Sequence, residues 1–380
     1  MTGRDKLRAA LSGEGSQEIP AVICYEGIYI RDRWRELSSR PWWYRASPDL
    51  DQQLAWRREV YGKLGQDWIG VSPTGTAQER ADQWIDLRGE RVFSVDRRTG
   101  VEEEMLPPPI GGWNHGGGPQ SPHPEWVPDS RAELDPLLPA PDAEWEDPRL
   151  DGRADLAAAL VAERGDRVLP WSAVTSPLWD GYDIWGFEGL MTRVADQPDL
   201  IEYACQRHAD RALHTIQTAA ALGAEAIWIE ECITDMLSPD DFRRLNLPFV
   251  RQLVEAIRAA GMYSVYYYCG DPRDRWDALL DAGADALSLE ESKKGFTIDI
   301  EEVVERVGGR CAVFGNLDSV GVLQDGTDAV LRAEVERQLE AGRRANGRFV
   351  MSTGSPVTPD TPVARVRQYC DLVRELGGSV

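Results

Sequence analysis

Acidic, phenolic and thiol side chains follow a series of short apolar runs in the second half of the sequence. Carboxyl groups gathered in one cavity repel one another, which raises some of their pKa values and suits them to proton transfer or to binding a cation. The alternative, which stays open for each glutamate pair taken alone, is that they cap the following helices or bind loop backbone. The residues after the apolar runs are Glu230 and Glu231 in IWIEEC, Tyr266, Tyr267, Tyr268 and Cys269 in VYYYCGD, Glu290 and Glu291 in LSLEES, Asn316 in FGNLD, and Ser352, Thr353 and Ser355 in MSTGSP.

A metal site is a second kind of chemistry that these residue types allow. Cys269 is followed by a glycine and is predicted to face the same opening as the carboxyl groups, with a buried inert cysteine as the alternative. Zinc takes three or four nitrogen, sulfur or oxygen ligands, and Cys269 with Glu231 supplies two of them. His208 and His214 lie six residues apart on a predicted helix and do not share a face, so we interpret both as structural.

The elements that must position these residues alternate between strand-like and helical segments. This alternation predicts parallel βα units, and the strand count approaches eight, which favours an α/β fold with a closed (β/α)8 TIM barrel over an open doubly wound sheet. In such barrels the active-site residues follow the C-terminal ends of the strands. The predicted strands are residues 21–25, 68–71, 168–173, 226–230, 263–268, 286–290, 312–315 and 349–352, and the predicted helices are 5–11, 50–64, 186–195, 200–222, 239–260, 272–282, 300–307, 329–345 and 361–376.

Two segments are predicted to decorate the barrel. Residues 85–106 alternate apolar and polar side chains around two glycines, which indicates a β-hairpin or meander. Residues 107–148 are rich in Pro, Gly and Trp, and we interpret them as an irregular loop insertion within one domain that spans 1–380. His115 and His123 in this insertion either contact substrate or belong to a solvated loop.

The charge and the apolar runs exclude two classes of partner. The chain carries 42 Lys and Arg against 64 Asp and Glu, a formal net charge of −22, whereas nucleic-acid binding depends on a positive field. No apolar run reaches the roughly 18 residues that a bilayer span requires, and the N-terminal segment lacks the apolar stretch of a secretory signal. The six cysteines show no C-x-x-C spacing, which fits reduced thiols. We therefore expect a cytoplasmic protein that binds neither nucleic acid nor membranes.

The aromatic content indicates a ligand pocket. Fourteen tryptophans offer flat apolar faces, and we expect some of them to line a pocket, with core packing or loop anchoring as the alternative. Residues 25–45 are rich in aromatic side chains and arginines, and a local arginine cluster lets a small anion bind despite the net charge.

Several sequence blocks, occurring in one order along the chain, resemble those of a known superfamily. The resemblance is to the uroporphyrinogen decarboxylase superfamily, which includes the decarboxylases of haem synthesis and corrinoid-dependent methyltransferases. It covers most of the chain outside 107–148 and implies a (β/α)8 barrel, but the blocks do not separate the reactions of the superfamily. They are RDKLRAALSGEGSQEIPAV, FEGLMTRVADQPDLIEYA, ALGAEAIWIEE, LSPDDFRRLNLPFV, YCGD, GADALSLEE, VFGNLDSVGVLQDGT and STGSPVTPDTP.

A few positions distinguish the branches of the superfamily. The decarboxylases carry an R-Q-A-G-R-Y segment whose arginines grip substrate carboxylates, and here the corresponding region reads CYEGIYIRDRWREL. The zinc methyltransferases carry His-x-Cys-Gly where this chain has Tyr267, Tyr268, Cys269 and Gly270, and a second cysteine where Ser355 stands. The superfamily usually has an acidic residue at the position of Glu231, so the resemblance implies a role in the cavity for this residue.

The resemblance fits methyl transfer of the O-demethylase type better than decarboxylation. In that reaction a small, aromatic methyl ether gives its methyl group to a corrinoid. This sequence lacks the D-x-H-x-x-G corrinoid-binding motif, so we expect the corrinoid to be carried by a separate protein. Decarboxylation of a tetrapyrrole, which needs no cofactor, is an alternative that requires Arg31, Arg33 and Arg35 to point into the cavity. A barrel that only binds a ligand is a third interpretation, and the oligomeric state, a homodimer included, is left open.

The predicted site residues fall into three groups. We predict catalytic roles for Glu231, Cys269, Tyr267 and Glu290, substrate binding by Tyr25, Arg31, Asn316, Ser355 and Trp179, and a zinc ion, where a metal binds, on Glu231 and Cys269.

Overall fold

A computed structural model describes residues 1–112, 124–138, 144–292 and 295–378 of the chain. Seven of its strands are parallel and hydrogen-bonded in one curved sheet. In chain order the strands are β1 (Trp68–Gly70), β2 (Gln83–Arg88), β3 (Arg91–Asp96), β4 (Glu102–Met105), β5 (Leu169–Thr175), β6 (Ala226–Glu231), β7 (Tyr263–Tyr268), β8 (Ala286–Leu289), β9 (Ala312–Phe314) and β10 (Phe349–Val350). The order in the parallel sheet is β1-β5-β6-β7-β8-β9-β10.

Extended residues around Ala21 close this sheet into a barrel. On one side the amide of Met351 donates to the carbonyl of Pro20 and the amide of Val22 donates to the carbonyl of Met351, both at 2.9 Å. On the other side the amide of Asp67 donates to the carbonyl of Ala21 at 2.8 Å. The segment therefore occupies the eighth position between β10 and β1, and the predicted (β/α)8 barrel is confirmed.

Helices surround the strands on the outside of the barrel. The α-helices span Gly3–Ser12, Glu26–Asp32, Trp34–Leu37, Leu50–Leu64, Ala77–Asp82, Arg131–Leu134, Asp155–Arg164, Pro177–Asp196, Pro198–Ala221, Pro239–Asp241, Leu247–Ala259, Trp276–Asp281, Ile300–Val307, Asp328–Arg343 and Val363–Leu376. Phe242–Asn246 and Ser319–Gln324 are π-helical, and Trp42–Ala46, Asp135–Leu137 and Thr234–Met236 form 3-10 turns.

Two of the predicted elements differ from the structure in ways that matter for the site. The helix predicted at 186–195 is present, but a further helical segment precedes it, which begins at Pro177 directly after β5 and ends in a kink at Gly186, where φ is 63°. Ser176 caps this first segment by accepting from the Trp179 amide, and proline suits the first helical position. The strand predicted at 21–25 is a single bridge at Ala21, and Tyr25 already has the left-handed φ of 52°. Both differences bring aromatic residues to the ends of the strands.

Alternate residues of each strand belong to two separate cores. On β6, Ile227 and Ile229 pack against the helices, whereas Trp228 packs inside the barrel together with Tyr267 of β7. The barrel interior is filled by aromatic rings, among them Trp68, which stacks on Trp171 at a centroid distance of 4.7 Å. Because parallel strands are buried on both faces, both residue sets are apolar.

The decorations lie outside the barrel sheet. Strands β2, β3 and β4 form an antiparallel meander where the sequence alternation predicts one. In the described part of the insertion, Leu134 is buried and Trp185 Nε1 donates to the carbonyl of Pro128 at 2.9 Å. His115 and His123 lie outside the described residues. Within the described ranges, none of the helices has both the length and the apolarity that a bilayer crossing demands.

Candidate active site

A cavity of about 560 Å³ opens at the C-terminal ends of the barrel strands. Its walls come from β7 and from the segments that follow β5, β6, β7, β8 and β10, together with Tyr25, Gly111 and Gly112. The lining residues are Tyr25, Gly111, Gly112, Trp179, Tyr182, Cys232, Ile233, Tyr267, Cys269, Glu290, Ser355, Pro356, Val357, Thr358 and Pro359. The structure therefore brings together six of the nine predicted site residues, namely Tyr25, Trp179, Tyr267, Cys269, Glu290 and Ser355.

Aromatic rings form two sides of the cavity. Trp179 and Tyr182 lie three residues apart in the first turns of one helix, and their rings stack at a centroid distance of 4.9 Å and an angle of 17°. On another side the ring of Tyr25 meets that of Tyr267 edge to face at 5.4 Å. Such walls suit a flat, apolar ligand.

Two cavity residues have a backbone conformation that non-glycine residues rarely adopt. Tyr25 and Ile233 have φ angles of 52° and 60°, in the left-handed region. This conformation costs a non-glycine residue about 1–2 kcal/mol, and such residues cluster at functional sites. Both residues precede short helical segments, so the strained turns direct their side chains toward the cavity.

Glu230 faces the inside of the barrel. It pairs in register with Tyr267, and Trp228, two residues earlier on the same strand, belongs to the interior core. Burial raises the pKa of the Glu230 carboxyl, hydrogen bonding from the Tyr25 hydroxyl lowers it, and the charge of Asp180 raises it again. Glu230 is thus an acid whose neighbour, Tyr25, lines the cavity.

Glu231 faces the opposite way, into the helix layer. Its Oε1 accepts from Ser176 Oγ at 2.8 Å, and its Oε2 accepts from Asn246 Nδ2 at 2.6 Å and from the Tyr266 hydroxyl at 3.2 Å. Burial raises the pKa of Glu231 to about 7 against these hydrogen bonds. This predicted catalytic residue does not line the cavity, and its contacts instead fasten the end of β6 to two helical segments.

Glu290 and Ser355 line the cavity, whereas Asn316 supports it from behind. Asn316 Nδ2 donates to the carbonyls of Glu290 and Ile298 at 3.1 and 2.7 Å, which fixes the loop after β8. Ser355 Oγ donates to Glu291 Oε1 at 2.6 Å, which fixes the loop after β10. Asn316 was predicted to bind substrate, but its amide group is occupied by backbone carbonyls because the turn after β9 directs it into the neighbouring loop.

Arg31 and Arg33 are not among the described residues that line the cavity, although each donates to a backbone carbonyl of its wall. Arg31 Nε lies 2.9 Å from Asp32 Oδ1, and its Nη2 donates to the carbonyl of Gly112 at 2.7 Å, behind the cavity wall. Arg33 pairs with Glu36 and donates to the carbonyl of Pro359. The predicted substrate contact of Arg31 is therefore not seen, because nearby acidic and carbonyl groups take up its guanidinium.

Comparison with known proteins places this site in a family. Residues 113–376 match the sequence profile described as Uroporphyrinogen decarboxylase (URO-D). The chain belongs to the uroporphyrinogen decarboxylase family. This confirms the resemblance drawn from the ordered sequence blocks.

Relatives within the family are distant. The uroporphyrinogen decarboxylase of Methylococcus capsulatus is 27% identical over 231 residues, which cover 58% of this chain and 63% of that protein. The uroporphyrinogen decarboxylase of Tolumonas auensis is 27% identical over 207 residues, which cover 54% of this chain and 56% of that protein. The chain thus spans less than two thirds of the length of these relatives. A methyltransferase from Methanosarcina mazei shares the fold, with a TM-score of 0.64 over 99% of both chains and 18% identity.

Zinc, which the resemblance to the methyltransferase branch implies at Glu231 and Cys269, does not fit the residues that the structure describes. Among them, no three His, Cys, Asp or Glu side chains are grouped so that they could hold a metal ion. Cys269 lines the cavity beside Cys232, and its amide donates to the carbonyl of Glu231 at 2.9 Å. The Glu231 carboxylate, however, is turned to the helix layer. We therefore assign no metal to this pair.

The sequence-based site residues omit Glu230, Tyr182 and Cys232. The spacing of Tyr182 from Trp179 is helical, so a helix beginning at Pro177 would have indicated that both rings share a face. The side chain of Glu230 points to the same face of β6 as that of Trp228, two residues earlier. Both faces of β6 carry apolar residues, so the sequence does not indicate which face is inside the barrel.

Proposed function

We propose that this chain demethylates a small aromatic methyl ether and passes the methyl group to a corrinoid carried by a separate protein. The observation that supports the proposal is the lining of the cavity: aromatic rings, a carboxyl group and two thiols, with no Arg, Lys or His among the described lining residues. A volume of about 560 Å³ is in the range of small-molecule pockets.

Charge favours this substrate class over a tetrapyrrole. A multiply carboxylated tetrapyrrole needs several cations in the cavity, since charge-assisted pairs with arginine are what offset the cost of burying carboxylates. Arg31 and Arg33 instead pair with Asp32 and Glu36. Glu290 adds a carboxyl group to the lining, which would repel an anionic substrate. A neutral aromatic ether needs no cations in the cavity and is not repelled by Glu290.

Different residues have different roles in the proposed cleavage of the ether. In this proposal the Trp179–Tyr182 pair holds the aromatic ring, Tyr25 gives a proton to the ether oxygen, and Glu230 restores that proton to Tyr25. The bond between oxygen and methyl carbon breaks, the oxygen keeps the bonding electron pair, and the proton makes it a phenol. A reduced corrinoid on the partner would supply the electron pair for the new bond to the methyl carbon.

The test uses the whole chain with free reduced cobalamin as methyl acceptor. A panel of methoxylated benzenes and methoxybenzoates is the substrate, phenol release is followed by chromatography, and methylation of cobalamin by absorbance. We expect Tyr25→Phe, which keeps the ring and removes the proton, to lower kcat about a hundredfold with unchanged substrate affinity. Tyr44→Phe, outside the cavity lining, is the matched control.

Decarboxylation remains the rival function because the sequence relatives carry that name. Consumption of uroporphyrinogen by the purified chain, with release of carbon dioxide and without any corrinoid, would overturn the proposal. Tight binding of aromatic ethers without turnover, in the presence of reduced cobalamin and of candidate corrinoid proteins, would instead indicate a barrel that only binds its ligand.

A further inference from the structure

A second cavity, of about 240 Å³, has Glu230 in its wall. Its wall includes Arg211, whose side chain is 55% exposed, so this cavity reaches the protein surface. Glu230 lines it, and Tyr25, whose buried hydroxyl hydrogen-bonds to Glu230, lines the substrate cavity. The lining residues are Ala173, Val174, Thr175, Asp180, Arg211, Ala212, Thr215 and Glu230.

Asp180 is held in a fixed position in this second cavity. Thr175 Oγ1 donates to Asp180 Oδ1 at 2.5 Å, and Arg211 Nη2 lies 3.3 Å from Oδ2. Burial raises the pKa of Asp180, and the contacts with Thr175 and Arg211 lower it. His208 Nδ1 lies 3.5 Å from Oδ2, but burial and the neighbouring Arg211 and Arg207 lower the pKa of His208 to about 4, so this imidazole is neutral near pH 7.

The chemistry at the substrate cavity requires a proton in each turnover. In methyl transfer the ether oxygen keeps the electron pair of the broken bond and takes up one proton. In decarboxylation, the rival reaction, a carbon atom keeps the electron pair of the bond to carbon dioxide and likewise takes up one proton. A donor buried among aromatic rings must therefore be reloaded from solvent, whichever of the two reactions is catalysed.

We propose that the cavity between Asp180 and Glu230 is the route by which protons from solvent reach the substrate cavity. Tyr25 gives its proton to the substrate, Glu230 gives one to Tyr25, and Asp180 passes one to Glu230 through the cavity, which has room for several water molecules. One proton from solvent is taken up and no other bond changes. The identity of the substrate in this scheme rests on the proposed function, but the route itself does not.

Asp180→Asn is the first test, with Asp183→Asn as its matched control. Asp183 lies three residues further along the same helix, is exposed and does not line the cavity. We expect Asp180→Asn to lower kcat at least about tenfold with little change in KM, and added formate, a small weak acid, to restore part of the rate. Asp183→Asn should behave as the wild type. Equal kcat values in the two variants would overturn the route.

A second variant tests the proton route if the Asp180→Asn protein is unstable. Thr215→Leu fills the cavity without altering a charge, and it should also lower kcat while substrate binding, followed by quenching of tryptophan fluorescence, stays unchanged. A normal kcat in a folded Thr215→Leu protein would overturn the route.

Infrared titration without substrate separates this inference from the proposed function. The carboxyl band that disappears in Glu230→Gln reports protonation of Glu230. In Asp180→Asn this band should titrate at lower pH, because a negative neighbour that favours the protonated form is gone. An unchanged midpoint would count against the route, whereas absence of methyl transfer in the wild type would overturn only the proposed function.

Discussion

Glu230 and Glu231 are neighbours in the chain, yet their carboxyl groups lie on opposite faces of β6. Glu230 shares the interior face with Trp228 and Tyr267, and Glu231 accepts hydrogen bonds from Ser176, Asn246 and Tyr266 in the helix layer. The alternation of side chains along a strand produces this division. One strand end therefore carries both an acid directed to the inside of the barrel and an acid that fastens the strand to the helix layer.

Alanine substitution at the two positions should separate these roles. Glu231→Ala leaves three buried donors without their acceptor, and we expect the free energy of unfolding to fall by about 2–4 kcal/mol. Glu230→Ala should leave the free energy of unfolding within about 1 kcal/mol of the wild type and lower kcat at least about tenfold. Urea unfolding and steady-state kinetics measure the two effects, and the reverse pattern would contradict the assigned orientations.

Stability should fall as the pH rises from 5 to 8. Burial raises the pKa of Glu26 and of Glu231 to about 7 from an ordinary value of 4.5. Between these values the folded protein keeps protons that the unfolded chain releases, so the free energy of unfolding decreases with rising pH, by on the order of 2 kcal/mol for each group.

Glutamine variants provide the check on this pH dependence. Glu26→Gln should flatten part of the decline in urea unfolding measured at pH 5, 6.5 and 8. Glu255→Gln, on an exposed helix face, should leave the decline as it is. A free energy of unfolding that does not decrease over this range in the wild type would contradict the raised pKa values of the two carboxyl groups.

Some features of the site could be predicted from the sequence, whereas others depend on tertiary contacts that the sequence does not show. The strand ends were predictable, since parallel strands of a barrel deliver their last residues to one opening, and Tyr267, Cys269, Glu290 and Ser355 do line it. The direction in which the Glu231 side chain points could not be predicted, because β6 carries apolar residues on both faces. The orientation of Arg31 could not be predicted either, since it depends on an adjacent aspartate and on a carbonyl 81 residues away in the chain.

Trp179→Ala should weaken the binding of an aromatic substrate. The variant removes one of the two stacked rings at the cavity wall, and stacking on an aromatic ring contributes about 1 kcal/mol beyond burial, so we expect the substrate dissociation constant to rise about tenfold. Trp126→Ala, in which a side chain that is 56% exposed is removed, is the matched control. Equal affinity of the two variants for every aromatic ligand would show that the substrate binds elsewhere.

Gly354→Ala should displace the loop after β10. A Cβ atom at this position would lie 2.3 Å from Glu291 Oε2 and 2.9 Å from the Glu291 amide nitrogen, so the loop that carries Ser355 has to move. We expect a loss of about 1–3 kcal/mol in the free energy of unfolding together with weaker substrate binding. Gly62→Ala, in a helix with open space at its Cβ position, should be neutral or stabilising by about 0.5–1 kcal/mol.

The packed tryptophans beneath the cavity bear on the order in which substrate and partner protein would bind. Trp68, Trp171 and Trp228 fill the inside of the barrel beneath the cavity, and the cavity opens at the C-terminal ends of the strands. A partner protein docked at that opening would close it. Substrate would then have to enter before the partner arrives and phenol leave after it departs, which predicts ordered kinetics with inhibition by excess partner.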